Sequence, residues 1–332
     1  MRPRSSGIRI AFAAAAGSLA LAGCTQVLPA PGPEPVSDVA LPALTVEQVD
    51  DVLADVGSVL ALADSSGDVS GLAERLADPA LAIRNAQFRL NSLSDGSRPP
   101  TPLTTEDRVV VVAAENGWPR MLMAVTVTPS SSTTPLLLVL RQQDARSQYL
   151  LTSWVSLFPG VETPAMAAPQ VGSAMLPGDA EGLRATPAEV LTWYGSVLAD
   201  GPESEHAEAF APDIYSQKLQ DELESGRESV EGIGTISLDA LADTGGVVAF
   251  ETADGGALVV GQVTTSTNYK KTLSGATLTL GGEAAAWLGG GNVSALAAIR
   301  HDSMIAFHVP ASESEQITVL GAERALTNAS KV

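Results

Sequence analysis

Few residues in this chain could do chemistry, and their types limit the reactions open to it. Histidine occurs three times, as His206, His301 and His308, so a histidine-rich metal cluster is excluded. His301 directly precedes Asp302, a pairing in which a carboxylate can orient an imidazole and raise its basicity. Neighbours on a strand point to opposite faces, however, so the two read as a strand-end or loop pair and no catalytic residue is assigned. The sequence has no Gly-x-Ser-x-Gly elbow, Ser-x-x-Lys pair, phosphate loop or His-Glu-x-x-His helix. Gly289-Gly290-Gly291-Asn292 lacks dinucleotide-loop spacing and reads as a tight turn. The acidic series Asp213, Asp221, Glu222, Glu224, Glu228 and Glu231 lacks calcium-loop spacing and reads as a solvated helix face. No metal or cofactor is expected.

Aromatic residues are only 4% of the chain, so their grouping is informative. Trp193, Tyr194, Phe210 and Tyr215 fall on or beside two successive predicted helices. There they either fill the core between helix and sheet or line a hydrophobic ligand pocket with a few polar groups at its mouth.

The most specific pattern is N-terminal. Arg2, Arg4 and Arg9 flank the start of an apolar run from Ile10 to Ala20, and Leu21-Ala22-Gly23-Cys24 follows at once. The run is shorter than the ~20 residues of a spanning helix. The pattern resembles a bacterial lipoprotein signal with its lipobox, which implies cleavage between Gly23 and Cys24 and transfer of diacylglycerol to the Cys24 thiol. Cys24 is the single cysteine, so its acylation leaves no thiol for disulfides, zinc or nucleophilic catalysis. The implied location is the outer, extracytoplasmic face of the cell membrane, with membrane lipid as a partner through the acyl anchor. Nineteen basic residues against 38 acidic ones, a formal net charge of −19, argue against nucleic acid as a partner.

The elements that must hold these groups follow from periodicity. After a signal over 1–23, residues 24–44 carry Pro29, Pro31, Pro33, Pro35 and Pro42 and read as a semi-extended tether. Thr45-Val46-Glu47-Gln48 has capping-box spacing and opens a helix with apolar residues at helical intervals, and a second helix is expected near Ala80 to Leu90. Strand patterns then run over 108–114, 121–128, 136–142 and 148–157, with Asn116-Gly117 marking a hairpin turn. Residues 159–185 are rich in Pro, Gly and Ala and read as a linker. Thr186-Pro187-Ala188-Glu189 restarts the pattern with a second capping box, a helix, another helix near Phe210 to Glu224, and strands to Leu320. Moreover, Val52 to Ala61 and Val190 to Ala199 align without gaps, with Val, Leu, Gly, Ser, Val, Leu and Ala identical.

The expected fold is α+β: two tandem domains over 45–158 and 186–325, each a helix pair on a curved antiparallel sheet, and a tail over 326–332. This order resembles actinobacterial lipoproteins with tandem nuclear-transport-factor-2-like, cone-shaped domains. That superfamily has no universal catalytic motif, so the resemblance implies no active residue. Two functions follow. The first is a non-enzymatic binding or scaffold module of the cell envelope, presenting a pocket or surface to an envelope protein or small ligand. The alternative is a small-molecule enzyme or hydrophobic-ligand carrier, for which a wet pocket joining His301, an Asp and a Tyr is the distinguishing feature.

Overall fold

The computed structural model describes residues 40–129 and 132–332. Gly23, Cys24 and the tether as far as residue 39 lie outside the described residues. Both capping boxes form. Thr45 Oγ1 accepts from Gln48 N at 3.3 Å while Gln48 Oε1 accepts from Thr45 N at 3.0 Å, opening α1 (Val46–Ser66). Thr186 and Glu189 repeat the exchange at α3 (Pro187–Asp200), whose Pro187 sits where a missing N–H costs nothing. The other helices are α2 (Ala80–Leu93), α4 (Ile214–Ser229) and the short α5 (Gly282–Trp287). Among the described residues no helix is long and apolar enough to cross a membrane.

The first half contributes the antiparallel meander β1 (Asp107–Ala114), β2 (Arg120–Thr126), β3 (Leu136–Gln142) and β4 (Tyr149–Ser156). The second contributes β6 (Gly234–Ala242), β7 (Val248–Glu251), β8 (Ala257–Lys271), β11 (Leu296–Val309) and β12 (Thr318–Lys331), besides a two-residue pair, β9 (Leu278–Thr279) with β10 (Asn292–Val293). Strands β6 and β7 lie end to end along one edge of β8, and β11 takes the other edge. Within 159–185, expected as bare linker, Ser173–Leu176 form β5, which pairs parallel with β1 and antiparallel with β7. One ten-stranded path therefore runs through both halves in the order β12-β11-β8-β7-β5-β1-β2-β3-β4, with β6 beside β8. Its ends meet, because Leu157, just past β4, bridges Gly321 of β12 and Phe158 N donates to Leu320 O at 2.9 Å. Register shifts at Arg300/His301 and Ala306/Phe307 bend β11 and β12 round this curve. Residues 326–331, expected as tail, continue β12, with Lys331 opposite Ala297.

Side-chain alternation explains why the halves interlock. On β8, Leu258 and Val260 face one core while Ala257 and Val259 face the other; on β11, Met304 and Ala306 divide from Ile305 and Phe307 in the same way. The sheet of the second half is thus a wall between two cores. One core lies against α3 and α4, and the other is shared with α1 and strands β1 to β4. Strands buried on both faces read as unbroken apolar runs, as Leu136 to Leu140 and Met121 to Ala124 do.

Candidate functional site

Asp213 starts the construction of the site. Its Oδ1 accepts from Tyr215 N and Ser216 N, each at 2.9 Å, capping α4. The same oxygen accepts from the hydroxyl of buried Tyr194 at 2.9 Å, which pins α4 to α3. From that cap, Tyr215, Lys218, Leu219, Glu222 and Leu223 fall at helical intervals along one face. They cover a cavity of about 550 Å³ whose floor is built from alternate residues of three strands: Thr267 and Tyr269 of β8, Ile299 and His301 of β11, Arg324 and Leu326 of β12. Glu283 and Ala284 of α5 and Arg98 from the loop after α2 complete the wall.

Arg324 is the hub of the polar groups. Its Nη1 donates to Glu222 Oε2 at 2.8 Å, and Nη2 lies 3.2 Å from His301 Nδ1. A guanidinium has only donors, so Nδ1 is the acceptor and the imidazole proton sits on Nε2. Burial, followed by the adjacent Arg324 charge, pushes the His301 pKa down to about 3, so the ring is neutral at physiological pH. Burial raises the Tyr215 and Tyr269 hydroxyls, keeping both as neutral hydrogen-bond groups, and Tyr215 Oη lies 2.7 Å from Ser303 Oγ. Among the described residues Arg324 Nε is buried without a partner. At the mouth, Arg98 pairs with Glu283 at 3.5 Å. With Arg98, Lys218 and Arg324 against Glu222 and Glu283, this cavity is cationic on a strongly acidic chain.

Of the four aromatic residues picked out from sequence, Tyr215 alone lines this cavity. Tyr194 and Phe210 are buried together in the core, with Phe307 edge-on to Tyr194 at 5.1 Å, and Trp193 stacks on His206 at 4.6 Å. His301 and Asp302 diverge as strand neighbours must. Asp302 turns to the opposite face, where Thr264 and Thr327 donate to it and Arg300 pairs with it. Glu222 of the acidic series is drawn into the site by Arg324, and Asp213 serves as a cap. Among the described residues no three His, Cys, Asp or Glu side chains converge as a metal site. Sequence reasoning missed Arg98, Tyr269 and Arg324. A partial signal existed in β8, which is apolar over Ala257–Val260 and polar from Thr264 to Asn268, where Thr267 faces the cavity.

Fold and site together define an α+β protein whose closing sheet carries a mixed polar and apolar cavity at one end. The chain belongs to the family described as Domain of unknown function (DUF8094), whose model matches residues 40–331. No curated protein and no solved structure matches the chain.

Proposed function

We propose that this protein is an extracytoplasmic lipoprotein, held to the cell membrane through Cys24, whose second half binds a small amphipathic ligand and so serves as a binding module of the cell envelope. The observation that carries the reading is the cavity itself. Leu219, Leu223, Ile299 and Leu326 offer an apolar wall, and Arg324, Lys218 and the Nε2–H of His301 offer donors to an anionic head group. Binding is favoured over acid–base catalysis because a His301 pKa of about 3 is far from the pH at which an efficient general base works. The recurrence of capping box, helix pair and strands in both halves supports their descent from one duplicated cone-shaped unit of the nuclear-transport-factor-2-like kind.

The test is native mass spectrometry of the full chain released from detergent micelles with an equimolar series of single-chain amphiphiles, comprising a fatty acid, a lysophosphatidic acid and a neutral monoacylglycerol. One bound anionic amphiphile per chain, lost in Arg324→Gln, is the expected result. Equal adducts on wild type and variant, or none, would overturn the assignment.

A further inference from the structure

A second groove, of about 550 Å³, lies on the first half, remote in sequence from the cavity residues and lined by different side chains. Trp118 stands on the β1–β2 turn with 40% of its surface exposed, a large share for a residue type that is highly buried on average. Arg120 covers one face of its indole at 4.4 Å. In the same groove Tyr149 is 4% exposed, yet among the described residues its hydroxyl has no hydrogen-bond partner, and Arg120 Nε is buried and equally unpartnered. Two buried, unpartnered polar atoms on residues of one groove mark an incomplete hydrogen-bond set, since buried polar groups are otherwise almost always satisfied.

The rim supplies planar amides. Gln48 spends its Oε1 on Thr45 N and Gln142 spends its Nε2 on Ser147 O, so each keeps its other amide atom without a partner among the described residues, as do the side chains of exposed Gln148 and Asp51. We propose that this groove binds a neutral glycan, with a pyranose ring laid on Trp118 and its hydroxyls bonded to Gln142, Gln148, Tyr149 and Asp51. An exposed indole gives the C–H face of a sugar an apolar platform, and sugar hydroxyls donate to Asp51 and Gln142 Oε1 and accept from the side-chain amides of Gln48 and Gln148. A proline-rich peptide would also stack on Trp118, but its prolines carry no N–H, which leaves it fewer donors for those acceptors than a sugar ring bears hydroxyls. This assignment is independent of the ligand in the second-half cavity.

The experiment is a neutral-oligosaccharide array probed with the full chain in a detergent without a sugar head group, followed by calorimetric titration of the tightest binder. Trp118→Ala and Gln148→Ala, both at exposed positions, are each expected to weaken binding about tenfold, the scale of one lost stacking or hydrogen-bonding contact. Arg324→Gln, in the other cavity, should leave the affinity unchanged. Absence of neutral-glycan binding, retention of full affinity in Trp118→Ala, binding confined to acidic glycans, or binding of a free peptide of residues 27–39 in place of sugar would each overturn the proposal.

Discussion

The carboxylate of Glu323, on the last strand, accepts a hydrogen bond of 2.8 Å from the side-chain amide of Gln87, on α2. Thr101 Oγ1 at 2.5 Å and Ser156 Oγ at 3.0 Å donate to the same carboxylate, so three residues of the first half hold one acid of the second. Arg84 lies close by, hydrogen-bonded to Gln87 and paired with Asp64. This polar seam sits where β12 crosses to meet β4. Glu323→Ala would leave the Thr101 and Ser156 hydroxyls without their acceptor and Gln87 Nε2 with Thr101 alone, and is expected to cost about 2–3 kcal/mol in a urea unfolding titration.

Burial raises the Glu323 pKa above the ordinary carboxyl value despite its three donors and the Arg84 charge. The native chain therefore holds this proton at pH values where the unfolded chain has lost it, and the seam weakens as pH rises from the unfolded pKa through the native one. Glu323→Gln keeps the acceptor oxygen and removes the titration. Its melting temperature relative to wild type should climb between pH 4.5 and 8, and a difference that stays flat across that range would refute the assignment.

Two residues earlier, Gly321 brings the strand backbones together. A Cβ there would stand 2.4 Å from Ser156 O and 2.8 Å from Leu157 Cα, both backbone atoms that cannot rotate away. Gly321→Ala should destabilise by about 3 kcal/mol, read as a lower denaturation midpoint at unchanged slope. An alanine variant as stable as wild type would mean that the β4–β12 closure is loose.

The element order, both capping boxes and most strand positions were legible in the sequence because they depend on spacings of a few residues. What was not legible depends on distant packing. Ser173–Leu176 become β5 only because β1 and β7 offer edges on either side, and α5 opens at the second of two glycines with no helical periodicity before it. The apolar runs at Leu136–Leu140 and Ile305–Phe307 did hold a clue, since a sheet with one solvated face would have alternated. They are unbroken because each sheet helps to bury the other. Arg98 and Arg324 meet round one cavity for the same reason, through closure of the sheet, which no local pattern encodes.

That interlocking makes a prediction about fragments. Residues 186–332 alone would expose Phe250, Leu258, Val260, Met304 and Leu320, which the full chain buries against the first half. Losing contacts for five large side chains is worth several kcal/mol, comparable to the stability of a domain. The fragment is expected to unfold without a cooperative urea transition when followed by Trp193 and Trp287 fluorescence. A sharp transition would show that the α3–α4 core suffices by itself.

The proposed lipid anchor has its own test. Cys24→Ala removes the one thiol in the chain that can take an acyl group. The variant should move from the detergent phase to the aqueous phase of Triton X-114 or persist as uncleaved precursor, and unchanged partitioning would defeat the lipoprotein assignment.

His301 gives the second pH prediction, with the opposite sign to Glu323. Its native pKa of about 3 lies below the ordinary 6.5, so between those values the unfolded chain binds a proton that the native chain refuses. The contribution of neutral His301 is complete above about pH 6.5 and is lost as pH falls toward 3. His301→Gln retains an acceptor for Arg324 and cannot titrate, so its melting temperature should fall less than that of wild type between pH 6.5 and 4. Burial is the first cause of the depressed value and Arg324 the second. Arg324→Gln should accordingly raise the imidazole pKa only part of the way to 6.5, as followed by histidine ring NMR shifts. Recovery of the full ordinary value would mean that the arginine, rather than the cavity wall, keeps the ring neutral.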